Sequence, residues 1–331
     1  MSVFCHPITF GNQAIGGNLF LAPMAGYTDI PFRSLCLKHG ADLTYTEMIS
    51  AEGLYRNGAK TLEMLKRAPN EKEYVIQLFM GGLEPIRKAV EQVLGYSPLM
   101  IDINCGCPVI KVTKTGSGSA LMKKPELVQE MVKTIKECTD IPVSVKFRLG
   151  WDKEHENFLE FAQAAIDGGA EVLTLHARNR TEGYAPFAHW EKITELKKYL
   201  EVHAPEVRLI GSGDLFTAED VLRMFKKTQV DAVMIARGAI GNPFIFEDAK
   251  ALDAKREVPA LTVQKRIDTL LEHLDTTISL YGEKSACHQM RKCATFYLKG
   301  MQNVSETKKK LSHAETRDDY LQACQLLTIG Q

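Results

Sequence analysis

Short apolar runs rich in β-branched residues recur along the first three quarters of the chain. They occupy residues 19–22, 43–46, 75–79, 100–103, 143–147, 172–176, 208–211 and 232–236. Their starts lie 24 to 43 residues apart, which leaves each interval room for one amphipathic helix and two loops. Three of those helices are legible in detail. Asp29 caps the first, with Pro31 in the opening turn, Phe32, Leu35 and Cys36 on one face, and Gly40 as the stop. Pro125 opens another, with Leu127, Val128, Met131, Val132 and Ile135 at helical spacing. A third carries Phe158, Phe161, Ala162 and Ala165 and is closed by Gly168 and Gly169.

Strands alternating with helices predict a parallel sheet covered on both faces. No Gly-x-Gly-x-x-Gly turn follows the first strand, where a dinucleotide fold would place it. Eight units within residues 19–236 therefore predict an α/β protein with a TIM (β/α)8 barrel, whose active site collects in loops after the strand C-termini. After Pro243 the pattern changes. Residues 247–331 carry no β-type run and read as helices broken at Val258-Pro259, at Tyr281-Gly282 and near Gly300. Ile267, Leu270, Leu271, Leu274 and Ile278 form one apolar stripe, and Tyr320, Leu321, Cys324 and Leu327 another. The expected division is a barrel over 1–246 and a small C-terminal α-helical bundle over 247–331.

Composition adds little to that picture. With 45% apolar and 25% charged residues in 331, the chain is ordinary and globular, neither disordered nor fibrous. No apolar run approaches the roughly 20 residues that span a bilayer, and residues 1–7 lack a signal-peptide core, so a cytoplasmic protein is expected. In that compartment eight cysteines are core filler or chemistry rather than a disulfide scaffold. Lys plus Arg (41) balance Asp plus Glu (41), so any basic surface is local. Two local runs exist. Between Pro108 and Pro125 stand Lys111, Lys114, Lys123 and Lys124 with no acid. Between Lys284 and Lys310 stand seven basic residues, Arg291, Lys292 and Lys299 among them, against Glu306 alone. Each is a solvated helix face by default; together, one at the barrel mouth and one on the bundle, they could grip a polyanion.

The candidate chemistry sits at the predicted strand ends. Cys107 lies in an Asn104-Cys-Gly-Cys-Pro108 turn after the fourth strand, placed for reaction rather than packing. Cys105-x-Cys107 has no second pair at zinc spacing, so no metal is expected. Lys146 shares a strand with Val143 and Val145, which alternation sends to the opposite face. Pointing into a barrel, Lys146 could form a Schiff base or hold an anionic ligand. His176 ends the sixth strand beside Arg178, and Gln77 interrupts the third with a polar group that a barrel interior must satisfy. Ser212, Gly213 and Asp214 after strand seven, with Ala236, Arg237 and Gly238 after strand eight, stand where barrels bind phosphate.

These residues together resemble the tRNA-dihydrouridine synthases, nearest their bacterial DusB branch. The matching segments are Leu21-Ala-Pro-Met-Ala-Gly-Tyr-Thr-Asp29, Glu47-Met48, Gln77-Leu-Phe79, Asp102-Ile-Asn-Cys-Gly-Cys-Pro108, Val145-Lys-Phe-Arg148, His176-Ala-Arg178, Gly213-Asp214 and Ala236-Arg-Gly238. The stretch from Arg291-Lys292 through Tyr297 to Gly300 resembles that family's helical domain. The resemblance implies an FMN barrel, reduced by NADPH, that reduces the C5=C6 bond of a tRNA uridine to 5,6-dihydrouridine. It implies that Pro23, Met24, Ala25, Gln77, Lys146 and His176 line the flavin, and that Ser212, Gly213, Asp214, Ala236, Arg237 and Gly238 surround its phosphate end. It makes Cys107 the proton donor and Asn104 and Arg178 the uracil ligands; with the two basic runs read as a grip on the tRNA, Lys111, Arg291, Lys292 and Lys299 are its expected contacts. Ser212 stands where the family carries Asn, Ala236 where it carries Gly, and Cys105 in a slot that takes Met or Leu. Three other readings remain: a flavin barrel acting on a free pyrimidine, as dihydroorotate dehydrogenases do, a Schiff-base aldolase using Lys146, and an RNA-binding module without catalysis. Monomer is the default state.

Overall fold

The computed structural model describes residues 3–185 and 187–327. The strands, in chain order, are β1 (Ile8–Phe10), β2 (Gln13–Ile15), β3 (Leu19–Leu21), β4 (Leu43–Thr44), β5 (Ile49–Ser50), β6 (Val75–Phe79), β7 (Met100–Cys105), β8 (Val143–Arg148), β9 (Val172–His176), β10 (Arg208–Ser212) and β11 (Ala232–Ile235). Nine of them form one parallel sheet in the order β4-β3-β11-β10-β9-β8-β7-β6-β5. A bridge from Tyr45 to Val75 and the bond from Thr46 N–H to Val75 O (2.9 Å) join its two ends. β4 and β5 are thus two halves of one barrel strand, and the expected eight-stranded barrel is the fold.

Strand alternation sorts the side chains as that architecture requires. On β8, Val143, Val145 and Phe147 join the large core beneath the helices. Ser144, Lys146 and Arg148 face the lumen. The lumen floor is a separate apolar cluster of Phe20, Leu43, Val75, Met100, Val172, Ile210, Ala232 and Met234. Beneath it the antiparallel β1–β2 hairpin inserts Ile8, Phe10 and Ile15 as a plug, with Phe10 and Phe20 ring centroids 6.0 Å apart. The apolar periodicity missed this hairpin because three-residue strands carry too few positions to show alternation.

The helices follow their sequence signals. The Asp29 carboxylate accepts from Phe32 N–H (3.1 Å) at the start of Ile30–Lys38. The longest interval, between β7 and β8, holds a short helix Ile110–Thr113 and a 3-10 turn Gly118–Lys123 before the helix Pro125–Lys136. A buried Arg33–Glu71 pair (2.6 Å), joined by Thr44 Oγ1, ties the first of these helices to the loop before β6.

The last barrel helix, Ile245–Asp253, runs across position 247. The chain is then irregular from 254 to 262, and four helices follow: Val263–Tyr281, Glu283–Ala294, Ser305–His313 and Arg317–Gln325. Residues 328–331 of the expected bundle lie outside the described residues. The bundle seats against the barrel at Gly241, φ +69°, where an added Cβ would stand 2.5 Å from Tyr297 N and 2.7 Å from Phe296 Cβ. Among the described residues no helix is long and apolar enough to cross a membrane.

Candidate active site

A parallel barrel brings every strand C-terminus to one rim, so the residues after β3, β6, β7, β8, β9, β10 and β11 meet at a single mouth. Pro23 and Met24 are half-buried there and Ala25 is exposed. Gln77 and Asp102 lie side by side in the lumen, Gln77 Nε2 donating to Asp102 Oδ2 (2.6 Å). Ser144 Oγ donates to the other carboxylate oxygen. Asn104 extends this network: its Nδ2 donates to Gln77 Oε1 (2.8 Å), and its Oδ1 accepts from the N–H groups of Gly106 (3.2 Å) and Cys107 (3.0 Å). That amide therefore fixes the turn that carries Cys107. The other side of the turn is fixed by Ser119, whose N–H and hydroxyl both donate to Cys107 O (3.0 and 2.9 Å).

The Cys107 side chain is half-buried, and burial pushes its thiol pKa up despite Lys146 and Arg148 nearby. At neutral pH it is a thiol, a proton carrier rather than a nucleophile. Cys105 points the other way, into the core under the helices, and is wholly buried. One residue of offset in a strand separates a reactive position from an inert one.

Lys146 projects from β8 into the same lumen. Burial first, then the Arg148 charge, lowers its pKa. His176 lies at the mouth and stays neutral, because burial and the charges of Arg148, Lys146, Arg178 and Arg237 push its pKa well below the usual imidazole value. Arg148 clamps two rim loops, donating to Gly106 O (2.7 Å) and Asn179 O (3.0 Å). Asp214, held at φ +53°, turns its carboxylate onto Arg178 (2.6 Å), Arg237 (3.3 Å) and Ala188 N–H (2.8 Å). This carboxylate is taken up by the two arginines, and of these Arg237 stays partly exposed at the rim.

The structure distributes the remaining expected residues unevenly. Arg178 is 1% exposed and bound to Asp214, so its guanidinium presents no surface to a uracil in this conformation. Ser212 Oγ donates to Met234 O (3.2 Å) inside the barrel instead of standing free for a phosphate. Gly213, at φ +125°, and Gly238 are glycines for packing: a Cβ at 213 would meet Ala188 Cβ at 2.9 Å, and one at 238 would enter the Leu215 carbonyl. Ala236 and Arg237 border the same rim at half burial. Lys111 is exposed beside the Cys107 turn. Lys292 Nζ lies 5.2 Å from the Tyr27 ring and Lys299 Nζ 5.3 Å from the Phe216 ring, so both reach from the bundle to the mouth. Arg291 does not. It donates to Ala314 O (2.8 Å) and His313 O (3.3 Å) and holds the bundle together.

Asp102, Arg148 and Thr174 also line the lumen, and none was among the residues expected at the site. All three were detectable as polar residues two positions from an inward-facing one. Thr174 also bears on the expected flavin. Its Oγ1 is fully buried in the lumen, in register with Lys146, and has no hydrogen-bond partner. Lys146 makes no ion pair among the described residues. An orphaned hydroxyl and an unpaired ammonium at one level of a lumen are costly unless a polar ligand completes them. A flat heterocycle with ring carbonyls and a phosphate tail fits that donor set, with Arg237 at the rim for the tail.

Residues 20–329 match the family described as "Dihydrouridine synthase (Dus)". The chain is 37% identical over 321 residues to a "Probable tRNA-dihydrouridine synthase" of Treponema pallidum, covering 95% of this chain and 94% of that one. It is 33% identical to the "tRNA-dihydrouridine synthase B" of Pasteurella multocida, covering 88% and 87%. Among solved structures it is similar to a 2-naphthoyl-CoA reductase complex (TM-score 0.60, 10% identity, 76% of this chain and 52% of that one). It is likewise similar to the 6-hydroxypseudooxynicotine amine oxidase HisD of Pseudomonas geniculata (TM-score 0.59, 13% identity, 75% and 49%). The chain spans about half the length of these two, and they bear on the barrel fold alone.

Proposed function

The chain belongs to the dihydrouridine synthase family, and on that premise we propose that it is an FMN-dependent tRNA-dihydrouridine synthase that uses NADPH. Family membership implies a flavin enzyme. One observation carries the reading further: a protonated, half-buried thiol stands at a cationic barrel mouth that two lysines of a separate helical bundle also reach.

Bound flavin would supply hydride to C6 of the uracil ring. Lys146, Gln77 and Thr174 would hold its ring system, His176 would lie beside it, and Arg237 would hold its phosphate, with Pro23, Met24 and Ala25 as the opposite wall. Cys107 Sγ would deliver a proton to C5, and its raised pKa suits that task, because the proton must be present before it can be given. Asn104 has one weakly engaged N–H, aimed at Met48 Sδ (3.9 Å), which a uracil carbonyl would take in exchange for a poor sulfur acceptor. Such a donor stabilises charge developing on the carbonyl. Arg178 and Asp214 would act as a positioning pair for Arg237, and Ser212, Gly213, Ala236 and Gly238 would shape the phosphate rim. The residues from 263 onward would hold the tRNA, since a uracil must leave its stack to reach a lumen. Lys292 and Lys299 face the mouth for that purpose, and Lys111 flanks it. A buried lysine with a lowered pKa would also suit a Schiff base, and family membership argues against that aldolase reading.

The test is anaerobic. The NADPH-reduced protein is mixed with unmodified tRNA, or with free uracil or orotate, while the flavin absorbance is followed. Rapid reoxidation by tRNA alone is expected. Replacing Cys107 by Ala should leave reduction by NADPH intact and slow the tRNA step by about 10²–10⁴-fold. Reoxidation by the free bases alone would move the activity to small pyrimidines.

A further inference from the structure

Along the rim between the mouth and the bundle, aromatic and cationic side chains alternate. The Arg237 guanidinium lies 4.1 Å from the Tyr184 ring centroid and 5.2 Å from that of Phe216. Beyond Phe216 comes Lys299, 5.3 Å away, and Phe296 stands one turn before it. Four separate segments supply this row: the loops after β9, β10 and β11, and the bundle. It is therefore not the apolar stripe of one helix. The rings are left in water, with Tyr184 at 61%, Phe216 at 37% and Phe296 at 39% exposure, and Phe187 at 87% extends the same loop as Tyr184. Large apolar rings gathered on a surface carry a solvation cost that a partner removes. The row's charge is positive: one carboxylate, Asp214, is shared between Arg178 and Arg237, and Lys299 makes no ion pair among the described residues.

We propose that this row is a platform for single-stranded RNA, on which the nucleotides flanking the target uridine stack. The proposal rests on the tRNA reading above and adds where the RNA goes. A uridine drawn into the lumen unstacks its neighbours, whose faces are then exposed to water. Tyr184 and Phe216 replace those lost faces, and Lys299, beyond Phe216, receives the phosphate on that side. Rings spaced by cations match the repeat of base and phosphate along one strand, which neither a helical duplex with buried base faces nor an apolar peptide reproduces.

The experiment uses the flavin-loaded enzyme with Phe216→Ala, Phe216→Leu and Phe216→Tyr, and with Tyr184→Ala. Kd for unmodified tRNA is read by fluorescence anisotropy, KM and kcat by dihydrouridine formation, and flavin content and NADPH oxidation without tRNA as controls. Phe216→Ala, Phe216→Leu and Tyr184→Ala should each weaken tRNA binding and raise KM about tenfold, with the controls unchanged and Phe216→Tyr close to the parent. If Phe216→Leu binds like the parent, apolar bulk suffices and the stacking platform is wrong. Unchanged binding in every variant overturns the platform while leaving the synthase reading standing. A parent enzyme that ignores tRNA overturns both.

Discussion

Gly241 offers a quantitative test of how the bundle is seated. Its φ of +69° lies in the left-handed region, so alanine there costs about 1–2 kcal/mol in the backbone alone. The added methyl would also stand 2.5 Å from Tyr297 N and 2.7 Å from Phe296 Cβ, and would run into the Phe296 carbonyl carbon. Two of these three atoms are backbone, which cannot swing aside as a side-chain tip does, so overpacking adds about 1–3 kcal/mol. The unfolded chain returns about 0.7 kcal/mol through its lost freedom. Gly241→Ala should therefore lose about 1–4 kcal/mol in urea denaturation followed by far-UV circular dichroism. Gly300 supplies the control. It has φ +81° with nothing within 4 Å, so Gly300→Ala bears the backbone cost without the collision. Because the displaced segment carries Lys299, Gly241→Ala should also raise KM for tRNA more than Gly300→Ala does. Equal stability losses at the two positions would refute the close seating of bundle on barrel.

Three further outcomes are expected. Thr174→Val keeps the shape of the lumen but removes the orphaned hydroxyl, and should weaken FMN binding to the flavin-stripped protein about fivefold in a fluorescence titration; unchanged affinity would show that no ligand completes that hydroxyl. His273 is buried against Tyr297, and burial lowers its pKa to about 3. The unfolded chain binds its proton below pH 6.5 and the folded chain does not, so stability falls with pH between 6.5 and 3. From pH 7 to 5 that loss is about 2 kcal/mol, and His273→Gln should lose that much less over the same interval. Asp29, raised to about 6 by burial, acts in the opposite direction in both proteins and cancels in the comparison. Arg33→Met strands the Glu71 carboxylate, whose partner is 2% exposed, and should cost about 3–5 kcal/mol; adding Glu71→Leu should recover most of it. A single variant as stable as the parent would show that the pair carries no such weight.

Much of the molecule is legible in its sequence. Eight apolar runs at intervals wide enough for a helix predict parallel strands covered on both faces, and eight such units within residues 19–236 favour a closed barrel over an open doubly wound sheet. That closure in turn places the residues after the strands at one mouth, which is why Cys107, Lys146, His176 and Arg237 could be grouped while lying 130 positions apart along the chain. Alternation correctly sent Lys146 inward and Val143 and Val145 outward. The hydrophobic pattern also announced the change to helices after the barrel, though not that Ile245–Asp253 still completes it, since a barrel helix and a bundle helix have the same period.

The sequence carried no signal for how polar groups pair across the mouth. Arg178 and Asp214 are 36 positions apart, and neither neighbourhood foretells that the carboxylate takes a buried arginine as its partner. Arg291 and Lys292 are adjacent and equally basic, yet helical rotation of about 100° per residue gives one to the interior of the bundle and the other to the mouth. Hydrophobic periodicity is a local property repeated along the chain, so one sequence suffices to read it. Partner choice among charged side chains depends on distances that exist only once the strands have closed.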